Sequence, residues 1–213
     1  PLRWRKPRRV FVNSMSDLAE TLPQSHPQAL EVRGVRAAFF ELLYKWPDLD
    51  LIWLTKRIGN VPKVVPYDWM EGNWPANLWL VPTIVNQREA DRDLPKLLRI
   101  PAKVMGVSVE PLLGPVDLSR ITDALRQYRD APGGRGTFTY RGALDWVIVG
   151  GESGPNRRPM DLAWMGSLIA QCRAAGVPCF VKQDAALRDG QQGDIPDEWW
   201  AVKQFPGQPT GGG

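Results

Sequence analysis

Six short apolar runs divide the chain, and each of them stops at a group of polar side chains. The runs cover residues 9–13, 50–54, 78–84, 102–109, 146–149 and 177–182. They start roughly 25 to 40 residues apart, which is too far for hairpins and far enough for a helix in each crossover. This alternation predicts an α/β fold with parallel strands.

The fifth run leads into the turn GGESGP at residues 150–155. The Val and Ile residues of the run suit a strand that is buried on both faces. Gly150 and Gly151 then allow a ligand or a neighbouring backbone to approach closely. The turn does not match a dinucleotide-binding fingerprint, because Pro155 follows and the next helix starts only near Asp161. It predicts a buried strand that carries polar groups at its carboxyl end.

Polar side chains at the carboxyl ends of the strands are the candidate functional residues. Because crossovers between parallel strands are right-handed, these ends meet at one edge of a sheet. Glu110 and Glu152 are candidate catalytic acid–base residues, and Lys56 and Lys182 are candidates for binding an anion. The remaining candidates are Ser14, Ser16, Asp17, Thr55, Asn86, Gln87, Ser153 and Gln183. The alternative is ordinary solvation, since strand ends are polar in most α/β proteins.

Helix signals fill the intervals between the runs. Apolar residues at helical spacing predict a helix over residues 27–46. Asp161 and Gly176 are expected to begin and end another helix. A further helix is expected over residues 119–129, followed by a flexible Gly-rich connection over residues 131–142.

Prolines modify these expectations at three places. Pro82 lies within the third run, where a residue without an N–H should produce an edge strand or a bulge. Asn86 and Glu89 resemble a capping box, but Pro95 should interrupt the helix that they begin. Residues 59–77 contain three further prolines and are expected to form a loop whose two tryptophans cover the core.

The positive charge is concentrated at the start of the chain. The 213 residues carry a net charge of +4, but without the basic residues among the first nine, Lys and Arg fall from 27 to 22 against 23 Asp and Glu. Such an arm could bind nucleic acid by neutralising phosphates, or it could be an ordinary solvated terminus. Its basic residues are Arg3, Arg5, Lys6, Arg8 and Arg9.

Cys172 and Cys179 are the only cysteines, and both lie in apolar surroundings. We expect buried free thiols in a reducing cytosol. Together with the single histidine, His26, they are too few for a zinc or iron–sulfur site with four protein ligands. No metal site is therefore expected from the residues of this chain.

Length and hydropathy predict one domain outside the membrane. We expect a single α/β domain over residues 1–205 and a flexible tail over residues 206–213. No apolar run approaches the ~20 residues of a membrane span, so no membrane partner is expected. The basic start has no signal-peptide pattern, which predicts a cytoplasmic location.

Several motifs in a fixed order resemble a family of uncharacterised phage and bacterial proteins grouped with the radical S-adenosylmethionine (SAM) superfamily. The motifs are VFVNSMSDL, LTKR, EPLLGPVDL, LDWVIVGGESGP and FVKQ, and the resemblance extends over about residues 1–205. It implies an incomplete parallel (βα) barrel of the TIM type with about six strands. It also implies a [4Fe–4S] cluster held by three cysteines, which cleaves SAM to a radical that acts on an unknown substrate. A phage-encoded member would work in the cytoplasm of the bacterial host cell.

The same resemblance implies roles for the polar strand ends. The methionine part of SAM would be held by Ser14, Ser16 and Asp17. The cavity around the cofactor would be lined and closed by Glu110, Glu152, Ser153, Lys182 and Gln183.

Two departures from the family pattern bear on activity. The Cys-rich segment that precedes residues 1–13 in the family is not among these 213 residues, and Val85 stands where relatives have a glutamate. Since a cluster needs thiolate ligands, we expect no radical chemistry from the chain as given, which is either truncated or degenerate. One alternative is a cluster-free binding protein that contacts nucleic acid through the basic arm. The other is an ordinary lyase or hydrolase that uses Glu110 and Glu152.

Overall fold

A computed structural model describes residues 8–12, 16–119 and 144–207. These residues form two compact units, one within residues 1–82 and 100–105 and the other within residues 83–99 and 106–213. Residues 120–129 of the predicted helix, the Gly-rich connection and most of the predicted tail lie outside the described residues. The single-domain assignment stays a prediction.

Among the described residues, six strands alternate with helices and follow one another in the sheet in chain order. The strands are β1 (Arg8–Val12), β2 (Leu49–Thr55), β3 (Leu78–Ile84), β4 (Val104–Val109), β5 (Trp146–Gly150) and β6 (Cys179–Gln183). Every strand pair with a described register is parallel. The predicted α/β class and the incomplete (βα) barrel are therefore confirmed.

Helices and short helical turns connect the strands. The helices are α1 (Ala29–Lys45), α2 (Val61–Val64), α3 (Gln87–Leu97), α4 (Leu162–Ala175) and α5 (Asp197–Trp200). A 3₁₀ turn covers Ile58–Asn60 and a π turn covers Trp69–Asn73. Within the described ranges, none of the helices has both the length and the apolar character needed to cross a bilayer.

The first unit is built on the parallel pairs β1–β2 and β2–β3, in which Val10 faces Leu51 and Trp53 faces Leu80. Helix α1 occupies most of the predicted range and buries Phe39 among its residues. The prediction that residues 59–77 form only a loop is wrong, because short helical turns occupy much of this stretch.

An aromatic cluster in the first unit explains those turns. Trp69 and Trp74 are buried, as predicted, and their ring centroids lie 5.4 Å apart. The Trp69 indole donates to the Tyr44 hydroxyl, and the Trp74 indole donates to the Leu78 carbonyl. The chain between the two tryptophans coils tightly because both rings are held in the core, which local sequence pattern does not reveal.

The second unit contains the parallel pairs β4–β5 and β5–β6. Their register aligns Ser108, Ile148 and Phe180 on one face of the sheet. Helix α4 packs against β5 and β6 on the other face, where its Cys172 contacts Cys179. The face with Ser108 is therefore the one that α4 leaves uncovered.

The structure also corrects the expectations for Pro82 and Pro95. Strand β3 is an inner strand, so the prediction of an edge strand at Pro82 is wrong, whereas the alternative of a bulge stays a prediction. The pairing of β3 with β2 ends at Pro82, where a missing N–H costs least. Helix α3 continues through Pro95, which lies in its last turn. Its predicted start is confirmed, since the Asn86 side chain accepts a hydrogen bond from the Glu89 N–H at 3.1 Å.

Candidate functional site

The candidate site in the second unit begins with an irregularity in β6. Val149 of β5 pairs with Val181, but the next residue, Gly150, pairs with Gln183, so that Lys182 is an extra residue between two pairs. An extra residue of this kind is a β-bulge, which redirects the side chain that it carries. The Lys182 ammonium lies 3.1 Å from Oε1 of Glu110, directly after β4.

A buried serine holds the other oxygen of the Glu110 carboxylate. The Ser108 hydroxyl donates to Oε2 of Glu110 at 3.0 Å. Ser108 precedes Glu110 by two residues, so both side chains leave β4 on the same face. Each carboxylate oxygen therefore has a different partner, one fixed in the core and one on a flexible side chain.

The two members of the ion pair differ in exposure. The Glu110 side chain is 13% exposed, whereas the Lys182 side chain is 43% exposed. A half-exposed lysine moves at little cost, while the carboxylate stays in place through Ser108. The strand ends of the second unit thus present a fixed negative charge and a movable positive charge side by side.

Gly150 makes this arrangement possible. A β-carbon at this position would lie 2.8 Å from Oε1 of Glu110 and 3.3 Å from the Gln183 carbonyl oxygen. The glycine that ends β5 therefore leaves the space through which Glu110 and Lys182 meet.

Gln183 ties together the two loops beside the site. Its side-chain amide donates to the Gly151 carbonyl at 2.9 Å and accepts from the Gly190 N–H at 2.9 Å. The neighbouring Asp184 carboxylate is also buried and accepts from the Asp194 N–H at 2.8 Å. Because the side-chain amide of Gln183 donates one hydrogen bond and accepts another, this residue orders the loops around the site.

Glu152 and Ser153 lie in the turn after β5. The Arg158 guanidinium donates to both oxygens of Glu152 at 2.8 and 2.9 Å, and this hydrogen bonding raises the pKa of Arg158. Such a bidentate pair fixes the turn. Ser153 is exposed, and its backbone bridges to Ala186.

In the first unit, the Asp17 carboxylate gathers the candidate residues at the end of β2. It accepts from the Thr55 hydroxyl at 2.8 Å and from the Lys56 N–H at 3.0 Å, and Arg57 lies 3.4 Å away. The Asp17 side chain is only 9% exposed. Ser16 next to it is exposed, and Ser14 lies outside the described residues.

Asn86 and Gln87 stabilise the start of α3. Asn86 caps the helix, while the Gln87 side chain donates to Asp91 at 2.8 Å and accepts from the Asp117 N–H at 2.6 Å. These contacts give both residues a role in the fold of the second unit.

Sequence reasoning missed Ser108 and the arginine partners of the acidic residues. Ser108 carried a usable signal, because a polar residue two positions before Glu110 in a strand shares its face. No fixed spacing in the sequence predicts the pairing of Glu152 with Arg158 or the bulge at Lys182. They follow from the register between strands and from the path of the turn.

The two cysteines do not fit an iron–sulfur cluster. Cys172 and Cys179 are buried, and no third cysteine occurs in the 213 residues. The hydrogen bond with Cys172, together with burial, raises the pKa of the Cys179 thiol, whereas a cluster ligand must be a thiolate. Both are free thiols, as predicted.

Comparison with known proteins gives one result. No curated protein and no solved structure matches the chain. The model of a family described as protein of unknown function (DUF5131) matches residues 1–196, which is most of the sequence. The chain therefore belongs to the DUF5131 family.

Proposed function

We propose that this chain binds SAM through the strand ends of its second unit. Because its two cysteines do not ligate an iron–sulfur cluster, these 213 residues perform no radical chemistry by themselves. The observation that carries the proposal is the Glu110–Lys182 pair, 3.1 Å apart at the ends of β4 and β6. The same proposal includes kinship with phage and bacterial radical-SAM proteins. It also includes a location in the bacterial cytoplasm, where the two thiols stay reduced.

The pair suits a zwitterionic ligand. The amino-acid part of SAM carries an ammonium and a carboxylate on the same α-carbon, which match Glu110 and Lys182 in charge. The ligand ammonium would replace Lys182 at Oε1 of Glu110, while Ser108 keeps Oε2 in place. Lys182 would turn to the ligand carboxylate, so that no charge loses its partner on binding.

The other candidate residues of the second unit act mainly on the loops around this site. Gln183 and the Glu152–Arg158 pair order the loops, and the exposed Ser153 is available to a ligand. In the first unit, the bonds to Asp17 fix the loop that contains Ser16. Asp17 therefore positions this loop of the first unit.

Radical chemistry would require an electron from a [4Fe–4S] cluster, which the cysteines of this chain do not ligate. Anaerobic treatment with iron and sulfide should accordingly leave the 213-residue chain without the visible absorbance of a cluster. Replacement of both cysteines by alanine should not change this result. A coloured protein that loses its iron on that replacement would contradict this part of the proposal.

Calorimetric titration tests the binding itself. Glu110→Gln and Lys182→Met should each weaken SAM binding about tenfold or more, because each leaves a charge of the ligand without its partner. The matched controls are Glu41→Gln and Lys45→Met, which remove an exposed ion pair on α1. Equal affinities of all four variants, or no SAM binding by the unaltered chain, would contradict the proposal.

Nucleic-acid binding through the basic arm is the second candidate function. Arg9 lies 3.8 Å from Asp50 and 5.8 Å from the centroid of the Trp79 ring, so it already contributes to the first unit. The test therefore leaves β1 intact and replaces Arg3, Arg5 and Lys6 by alanine. Anisotropy titrations with a single-stranded oligonucleotide should then show weaker binding and a shallower dependence on salt.

A further inference from the structure

The last residues that the structure describes run along the outer edge of β6, the final strand of the sheet. Residues 202–205, the edge segment, follow α5, and Lys203 forms an antiparallel bridge with Phe180. A parallel sheet therefore ends in a short antiparallel addition from the same chain.

The edge segment satisfies the backbone groups of β6 that face away from β5. The Val181 N–H donates to the Val202 carbonyl at 2.9 Å, and the Val181 carbonyl accepts from the Lys203 ammonium. The Cys179 carbonyl accepts from the Gln204 N–H at 2.9 Å, and the Cys179 N–H donates to the Gln204 side chain at 3.1 Å. Alternate residues of a strand face the same edge, so both residues of β6 that point outward before the bulge are paired.

Aromatic contacts hold the edge segment in place. The Phe205 ring lies 5.4 Å from Trp146 and 5.1 Å from Phe180 between centroids. The Trp146 indole also donates to the Gln204 carbonyl at 2.9 Å. The Lys203 ammonium lies 3.3 Å from the centre of the Trp200 ring, a cation–π contact. These contacts attach the segment to side chains as well as to the strand edge.

The edge segment also reaches the candidate site through one residue. Val181 immediately precedes the bulged Lys182, and both of its backbone polar groups are bound by residues 202 and 203. A bulge depends on fixed pairing on either side of it. The edge segment provides that pairing on the outer edge.

We propose that the edge segment is a built-in strap that ends the sheet at β6 and holds Lys182 in its bulge. Without the strap, the outward N–H and C=O groups of β6 would pair with β6 of a second copy of this chain. The effect on Lys182 bears on ligand affinity and rests on the proposed function. The effect on the strand edge does not.

A pair of truncations tests the strap. One variant lacks residues 202–213, and its control lacks only residues 208–213, so that it keeps the strap. Hydrogen exchange without ligand should be about tenfold or more faster at the Cys179 and Val181 amides in the first variant only. Light scattering should show a shift from monomer to dimer with concentration in the same variant. A monomer with unchanged exchange at both amides would overturn the proposal.

A full-length variant covers the case in which the truncated chain does not fold. Gln204→Pro removes the N–H that binds the Cys179 carbonyl and the side chain that binds the Cys179 N–H. Exchange at Cys179 should increase, whereas Phe180, which pairs with β5, should remain protected. Gln208→Pro is the matched control, and equal exchange at Cys179 in the two variants would contradict the strap.

Titration of SAM into the same variants separates the two proposals. If the strap holds Lys182, loss of residues 202–213 should weaken SAM binding several-fold, and a synthetic peptide of residues 202–207 should restore both affinity and exchange protection. If no variant binds SAM but β6 still loses protection, the proposed function fails while the strap stands. Unchanged SAM affinity with an unprotected edge would refute the link to Lys182.

Discussion

The Glu110 carboxylate occupies the space that a β-carbon on Gly150 would need. That carbon would lie 2.8 Å from Oε1 of Glu110, while the same oxygen lies 3.1 Å from the Lys182 ammonium. The last residue of β5 therefore decides whether the charges at the ends of β4 and β6 can meet.

Gly150→Ala should separate Glu110 from Lys182 and lower the free energy of unfolding by about 1–3 kcal/mol, the usual effect of overpacking. It should also weaken SAM binding if the proposed function is right. Gly114→Ala is the matched control, since its β-carbon would lie 3.7 Å from the nearest side chain and its effect should stay within about 0.5 kcal/mol. Urea denaturation measures both, and equal stability of the two variants would contradict this role of Gly150.

Two glycines in helices should respond to alanine in opposite directions. Gly34 in α1 has open space around it, so Gly34→Ala should stabilise the protein by about 0.5–1 kcal/mol through helix propensity. A β-carbon on Gly166 in α4 would lie 2.6 Å from the Trp199 ring. Gly166→Ala should therefore displace Trp199 and lower the stability of the protein. If both variants raise the urea midpoint equally, the Trp199 ring does not limit the size of the side chain at position 166 of α4.

Asp17 should matter for the stability of the first unit. Asp17→Asn retains the size of the side chain but weakens its hydrogen bonds with Thr55 and Lys56 and its ion pair with Arg57. We expect a loss of about 1–3 kcal/mol in the free energy of unfolding, as for hydrogen bonds to a charged group. Glu41→Gln, at an exposed ion pair, should change it by less than about 0.5 kcal/mol. Denaturation curves that coincide for the two variants would show that Asp17 does not hold this loop.

Sequence pattern predicted the elements whose burial is regular. The strand predicted over residues 78–84 has the same bounds in the structure, and the helix predicted over residues 27–46 is Ala29–Lys45. Asp161 and Gly176 bound α4 as predicted, because a side-chain cap and a left-handed residue at φ 66° are local chemistry.

The rest depends on contacts between distant residues. The π turn before Trp74 forms because two tryptophans are held in one core. The prolines in this stretch of the sequence indicate only a loop. The bulge at Lys182 depends on the register between β5 and β6, which no local pattern sets. The sequence therefore named Glu110 and Lys182 as candidates, but only the register explains how they meet.

Asp93 on α3 should make the protein sensitive to acid. Burial disfavours its carboxylate, but hydrogen bonds from Arg92 and Lys96 outweigh this effect and hold the pKa of Asp93 below 3.8. A carboxyl with a lowered pKa stabilises the fold above its unfolded pKa, and the contribution is lost as pH falls through the folded value. Asp93→Asn should thus lower stability at neutral pH and flatten its decline below about pH 4.

Asp50 on β2 should show the opposite dependence and serves as the control. Burial raises its pKa above 3.8, although Arg9 lies 3.8 Å away and opposes the shift. A carboxyl with a raised pKa adds stability below its unfolded pKa, and this contribution is lost as pH rises through the folded value. Asp50→Asn should therefore steepen the decline of stability in acid, whereas Asp93→Asn flattens it. Urea midpoints between about pH 3 and pH 7 measure both slopes. Parallel curves for the two variants would show that these carboxyls do not control the acid response.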